Sequence, residues 1–276
     1  MANVEASFPY KVALVTGGSS GIGLALARRL AAQGVRVWLL ARRRKVLEAA
    51  LASLEGAAGK CGMVVADVAD WRQVQAAAIR VESEAGLPDL VINSAGVTHP
   101  GYVQDIPLDV FRQMMEINYL GTVHTVKALL PGMIARGSGH IVNIASAAAF
   151  LGIFGYTAYG ASKYAVRGFS DTLRAEVKPL GLRVSIAFPP DTDTPQLAYE
   201  NRFKPPETRA LAGKAGVLSA DRVADEILRG VRRGRYVILP GFQNKVLYRL
   251  SSLLGNAIFP LMDWMVTNAR RHASVR

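Results

Sequence analysis

The sequence predicts an α/β fold: a doubly wound parallel sheet with helices on both faces. Three observations carry that expectation. The run Lys11-Val12-Ala13-Leu14-Val15-Thr16 opens into Gly17-Gly18-Ser19-Ser20-Gly21-Ile22-Gly23 and then an Ala/Leu-rich stretch to Gln33, which reads as strand, tight turn and helix. Further apolar runs alternate with stretches of helical periodicity along the chain, and such alternation implies crossover connections and parallel neighbours. Half of the 276 residues are hydrophobic and no segment is low in complexity, so one large core is available.

Composition removes several classes of function. Cys61 is the only cysteine, which excludes an internal disulfide and a multi-cysteine metal site. His99, His124, His140 and His272 have no metal-ligand spacing, so no metal is expected. Met1 to Tyr10 carries Glu5 and Pro9 without a basic segment followed by an apolar run; no signal peptide is expected, and the expected location is cytoplasmic. The net charge is +12, and from Glu200 onward fourteen Lys/Arg face six Asp/Glu. A basic C-terminal part suits an anionic membrane surface or a solvated face. It contains no recognition module for nucleic acid.

The elements follow in order. Glycines between the first strand and helix let the backbone approach a pyrophosphate, which then rests on helix N-terminal amides. The second strand, Val35 to Ala41, runs into Arg42-Arg43-Arg44-Lys45, and no carboxylate lies between Gly34 and Lys45. In a dinucleotide-binding fold an acidic residue here favours NAD and arginine accommodates the 2′-phosphate of NADP. NADP(H) is therefore expected, with Arg42 as leading phosphate contact; the plainer reading is a charged helix start. Asp67 falls just beyond a third strand, where it can accept from an adenine amino group, and Asp89 to Asn93 forms a fourth strand followed by the small residues Ser94-Ala95-Gly96.

A long helix is expected from Pro107 to about Arg136, with Asn118, a mediocre helix former, near its middle. The fifth strand, from Gly139, ends at Ser146. Thirteen residues later come Tyr159 and, four further on, Lys163. On a helix that spacing puts both on one face, where a cation lowers the pKa of a phenol. By itself the pair is equally an ordinary amphipathic face. Arg183 to Phe188 forms the sixth strand and Tyr236 to Leu239 a seventh, with Ser219 capping the helix between them to about Arg233.

Taken together, Thr16-Gly17-xxx-Gly21-Ile22-Gly23, Asn93-Ser94-Ala95-Gly96, Asn118, Ser146 and Tyr159-xxx-Lys163 resemble, in this order, the short-chain dehydrogenase/reductase family. The resemblance runs from about Lys11 to Leu239. It implies a seven-stranded Rossmann sheet, NAD(P)-dependent carbonyl or alcohol redox chemistry, and a homodimer or homotetramer. It also implies the catalytic set Asn118, Ser146, Tyr159 and Lys163, with Asn118 holding a water in a proton relay. Cofactor contacts are implied from Gly17, Ser19, Ser20, Gly21, Ile22, Arg42, Asp67, Val68, Asn93, Ala95, Gly96, Tyr159, Lys163, Pro189 and Thr192.

Pro189-Pro190-Asp191-Thr192-Asp193-Thr194-Pro195 departs from the Pro-Gly usual in the family and is similar to the segment of 3-ketodihydrosphingosine reductases. That implies NADPH-dependent reduction of 3-ketodihydrosphingosine to dihydrosphingosine, with Ser146 holding the ketone. A reductase or dehydrogenase for another hydrophobic ketone or alcohol such as a steroid, and a non-catalytic NADP-binding protein, stand as alternatives. Asp191, Asp193 or Glu200 can pair with an amine beside the carbonyl; equally, the two aspartates can cap turns at Thr192 and Thr194. A catalytic domain is expected over residues 1–241, with a substrate lid over about 191–220. A basic, amphipathic tail follows over 242–276. Phe242, Val246, Leu250, Leu253 and Ala257 share one helical face of that tail, and its uncharged run, Leu250 to Met262, is too short to span a bilayer and is further broken at Pro260. The tail can lie on an anionic membrane, close over a partner subunit or pack on the protein's own core.

Overall fold

Strand β1, Val12–Thr16, is an interior strand of the sheet, buried on both faces because both are apolar. The computed structural model describes residues 8–212 and 216–273. Ala13 and Val15 of β1 point to one core and Leu14 to another, as the two-residue period of a strand requires. The first core is closed by α1, Gly21–Ala32, α2, Arg44–Ala52, and α9, Ala220–Arg232. The second is closed by α3, Trp71–Ala85, α5, Gly121–Arg136, and α6, Thr157–Val177. Leu26 and Leu30 of α1 are fully buried, each stabilising the fold by roughly 2 kcal/mol.

The remaining strands of this sheet are β2, Arg36–Ala41, β3, Cys61–Val65, β4, Leu90–Asn93, β5, Gly139–Ile144, β6, Leu182–Ala187, and β9, Val237–Ile238. They stand in the order β3-β2-β1-β4-β5-β6-β9, all neighbours parallel. Thr16 is level with Asn93, Asn93 with Asn143, and Ile144 with Ala187. The carboxyl ends of β1, β4, β5 and β6 therefore form one edge. The strand order turns back between β1 and β4, which opens a crevice at that edge.

The expected helix over 107–136 is not uniform. After α4, Leu108–Met114, residues Met115–Leu120 wind as a π-helix before α5 begins. The wider turn carries the buried Asn118 and explains why a poor helix former stands there.

The lid begins with β7, Thr192–Asp193, which pairs in parallel with β8, Leu218–Ser219. Between them lie α7, Pro195–Phe203, and α8, Pro206–Ala212; residues 213–215 of the expected lid lie outside the described residues. Thr194 caps α7, its hydroxyl accepting from the Leu197 amide at 3.2 Å, so the proposed aspartate caps give way to a threonine. Ser219 caps α9 as expected, accepting from the Arg222 amide.

The tail is two helices, α10, Phe242–Leu254, and α11, Ile258–Ala273. They part at Gly255, whose φ of 50° lies in the left-handed region. Pro260 does not break the tail; it falls in the first turn of α11, where no helical N–H is needed. The inner side of α10 packs on the protein: Asn244 donates to the Phe188 carbonyl, and Tyr248 meets Phe150 edge-on at 5.0 Å. α11 lies against α8.

Candidate active site

The crevice at the sheet edge is a cavity of about 1320 Å³. Its first wall is the glycine turn. Gly17 has a φ of 66°, and a Cβ there would stand 2.7 Å from the Ala95 amide nitrogen. A Cβ on Gly23 would stand 2.4 Å from the Gly17 carbonyl oxygen. Only glycine allows β1, α1 and the strand end of β4 to approach this closely. Ser20, at the N-cap of α1, makes no side-chain cap bond. The first residues of α1, Gly21, Ile22 and Gly23, line the cavity at the positive end of that helix, with no amide taken up by the Ser20 side chain.

Ser146 follows β5 in extended backbone and accepts from the Ala148 amide at 3.2 Å. Tyr159 sits in the first turn of α6 and Lys163 one turn later; both are buried and both face the cavity. Lys163 Nζ donates to the Ile144 carbonyl at 2.9 Å and stands 5.7 Å from the Tyr159 ring centre. Burial lowers the Lys163 pKa to about 8. The Tyr159 phenol moves the other way from the sequence expectation. Burial and the Glu200 carboxylate push its pKa up, against a smaller lowering by hydrogen bonds with Ser146 and Gln196. The expected lowering by Lys163 is overridden because desolvation of a wholly enclosed phenol outweighs a cation already bonded to a carbonyl.

Asn118 is fully hydrogen-bonded through its side-chain amide. Its Oδ1 accepts from the Val97 amide at 2.8 Å, and its Nδ2 donates to the Val97 carbonyl at 2.9 Å and to Ser162 Oγ at 2.8 Å. Both amide protons are spent within the protein, so a water held here would donate to an oxygen of Asn118. The side chain ties the loop after β4 to α6.

Of the expected cofactor contacts, Gly17, Ser19, Ser20, Gly21, Ile22, Arg42, Val68, Ala95, Gly96, Pro189 and Thr192 line the cavity together with Tyr159 and Lys163. Arg42 pairs with Asp67 at 3.4 Å, and half of the Arg42 side chain is exposed. Asp67 and Asn93 do not line the cavity. Asp67 accepts from the Ala69 amide and from Arg42, and Asn93 is buried against Asn143, donating to its Oδ1 at 2.8 Å.

At the substrate end, Asp191 and Glu200 line the cavity, whereas Asp193 is exposed outside it. Sequence reasoning missed three residues here. Tyr156 donates to Glu200 at 2.6 Å, Gln196 donates to its other oxygen at 3.2 Å, and Lys204 donates to Asp191 at 3.0 Å. Gln196, Glu200 and Lys204 are spaced by four, so a helical reading of the lid would have placed them on one face. Beyond this cluster the wall is apolar and comes from the tail, with Leu247, Leu250, Leu261, Met262, Met265 and Val266 lining it.

The sequence pattern described as short chain dehydrogenase matches residues 11–204. The chain belongs to the short-chain dehydrogenase/reductase family. It is an oxidoreductase of that type. A Bos taurus relative, 3-ketodihydrosphingosine reductase, is 37% identical over 252 residues, which are 90% of this chain and 75% of that one. Among solved structures, a short-chain dehydrogenase from Sphingobium yanoikuyae in complex with NADPH matches with a TM-score of 0.77 and 28% identity, over 92% of this chain and 95% of that one. A short-chain dehydrogenase/reductase from Burkholderia phymatum in complex with NAD matches with a TM-score of 0.80 and 27% identity, over 90% of this chain and 95% of that one.

Proposed function

We propose that this chain reduces the ketone of a long-chain lipid with NADPH, the best candidate being 3-ketodihydrosphingosine and its product dihydrosphingosine. The observation that carries the reading is one continuous cavity. It starts at the glycine turn, passes Ser146 and Tyr159, and ends on the apolar faces of α10 and α11. A short, polar ketone has no use for that last wall, whereas an alkyl chain would bury its surface there.

The residues present fit a dinucleotide. The cradle at Gly17 and Gly23 would be filled by any Cβ, and the uncapped amides of α1 suit a pyrophosphate. Arg42 would take the 2′-phosphate: its pairing with Asp67 is solvent-exposed and worth no more than about 1 kcal/mol, so a phosphate can displace it. When bound, NADPH supplies the hydride. The chain's own residues handle the oxygen. The Ser146 hydroxyl donates to it as negative charge builds, and Tyr159, kept neutral by its raised pKa, delivers its phenolic proton. Lys163, with a pKa near 8, is the adjacent group that can return a proton to the phenolate.

The tail supports contact with an anionic membrane surface. On its outer side Leu253, Phe259 and Trp264 are exposed, with Arg249 and Arg271 exposed among them. Among the described residues no helix is long and apolar enough to cross a membrane. Such a face beside the apolar end of the cavity gives a lipid a short route in.

The test is NADPH oxidation measured side by side with 3-ketodihydrosphingosine, a steroid ketone and a short-chain ketone. The reading expects the sphingoid ketone to be turned over with the highest kcat/KM, and NADPH to outperform NADH. Preference for the steroid, or for NADH, would overturn it.

A further inference from the structure

Glu200 is a buried carboxylate that the reduction itself does not use. Its side chain is 9% exposed, it faces the cavity, and it is close enough to Tyr159 to raise the phenol's pKa. Two of its acceptor positions are taken, by the Tyr156 hydroxyl at 2.6 Å and the Gln196 amide at 3.2 Å. A carboxylate offers about four, so acceptor capacity remains. Lys204 is 3% exposed and stands 3.0 Å from Asp191 but 3.9 Å from Glu200. That second distance is too long for a hydrogen bond. The ammonium therefore hydrogen-bonds Asp191 and meets Glu200 only as a longer ion pair, one cation shared by two carboxylates. Two carboxylates and one ammonium leave this wall of the cavity one negative charge in excess, beside the proposed proton donor.

We infer that Glu200 is the specificity-determining residue that reads a primary ammonium on the carbon beside the substrate's ketone. The inference rests on the proposed ketone reduction and deepens it. Tyr156 and Gln196 hold the carboxylate in place as positioning residues, and Lys204 reserves Asp191 so that a single cation is taken. An ammonium bonded to Glu200 sets the neighbouring carbonyl toward Tyr159. It also offsets the negative charge that raises the phenol's pKa, so an amino ketone gains in proton transfer as well as in binding.

The test compares two long-chain 1-hydroxy-3-ketones, one with and one without the 2-amino group, in the wild-type protein and in Glu200→Gln. The wild type is expected to favour the amino ketone by about tenfold or more in kcat/KM, the scale of one charge-assisted hydrogen bond in an enclosed site. Glu200→Gln is expected to bring that ratio close to one. A second readout is calorimetric binding of dodecylamine and dodecanol to the protein without nucleotide. Glu200→Gln should weaken the amine by about tenfold relative to the alcohol, and Lys204→Met, which releases Asp191, should tighten it. Equal losses for both ketones and both ligands would mark Glu200 as structural and overturn the inference. A wild type that reduces neither long-chain ketone would instead overturn the proposed function, and the inference with it.

Discussion

At the scale of single residues, Tyr159 is a phenol whose surroundings oppose its ionisation. It is enclosed, it feels Glu200, and Lys163 is turned to the Ile144 carbonyl. That state suits a proton donor, because a neutral phenol carries the proton that the carbonyl oxygen needs. Tyr159→Phe is expected to lower kcat by at least about a thousandfold while leaving NADPH fluorescence titrations unchanged; turnover within tenfold of wild type would refute the role. His140 is buried between the Tyr10 hydroxyl and Ser185 Oγ, each at 2.7 Å. Burial, and then Arg183, depress its pKa to about 3. Between the ordinary value of about 6.5 and 3 the unfolded chain binds the extra proton, so stability falls as pH drops through that window. His140 alone should remove about 3 kcal/mol between pH 7 and pH 4. Urea unfolding should show this loss for the wild type and a flatter profile for His140→Gln.

At the scale of elements, two departures from regularity position the site. The π-turn over Met115–Leu120 brings Asn118 across to Val97 and Ser162, and the glycine turn lets three backbones meet. The turn gives a paired prediction. Gly23→Ala puts a Cβ 2.4 Å from the Gly17 carbonyl, which forces backbone to move. It is expected to cost about 2 kcal/mol and to weaken NADPH binding by at least tenfold. Gly168→Ala, in the interior of α6 with nothing near its added Cβ, should instead stabilise by roughly 0.5–1 kcal/mol. Thermal unfolding of the two variants checks both signs. Ser219, the helix it caps and the first βα unit were legible in the sequence because each has a local cause: a cap residue, a glycine, a two-residue period. The π-turn has no such signature, since its wider winding answers to Val97, twenty-one residues away.

At the scale of the whole molecule, the tail serves two faces. Its inner side closes the core at Phe150 and Phe188 and lines the cavity; its outer side leaves Leu253 83%, Phe259 57% and Trp264 64% exposed. Charging the outer side separates membrane contact from folding. The triple variant Leu253→Glu, Phe259→Glu and Trp264→Glu is expected to lose flotation with anionic liposomes, while each change moves stability by about 0.5 kcal/mol or less. Flotation equal to wild type would exclude this face as the membrane contact, and a change in oligomeric state would assign it to a partner subunit.

The sequence by itself determined the alternation of strands and helices, the dinucleotide cradle and the presence of Ser146, Tyr159 and Lys163, because these depend on local periodicity, on glycine's freedom and on motif order. Tertiary structure alone decided how those residues are tuned. Desolvation reversed the expected shift of Tyr159, and bonds to Val97 and Ser162 made the Asn118 side chain a brace between the loop after β4 and α6. The lid's fold around Lys204 separated Asp191 and Glu200, in the cavity, from Asp193, outside it. Each of these outcomes depends on burial and on partners distant in the chain, and burial is a property of the packed molecule.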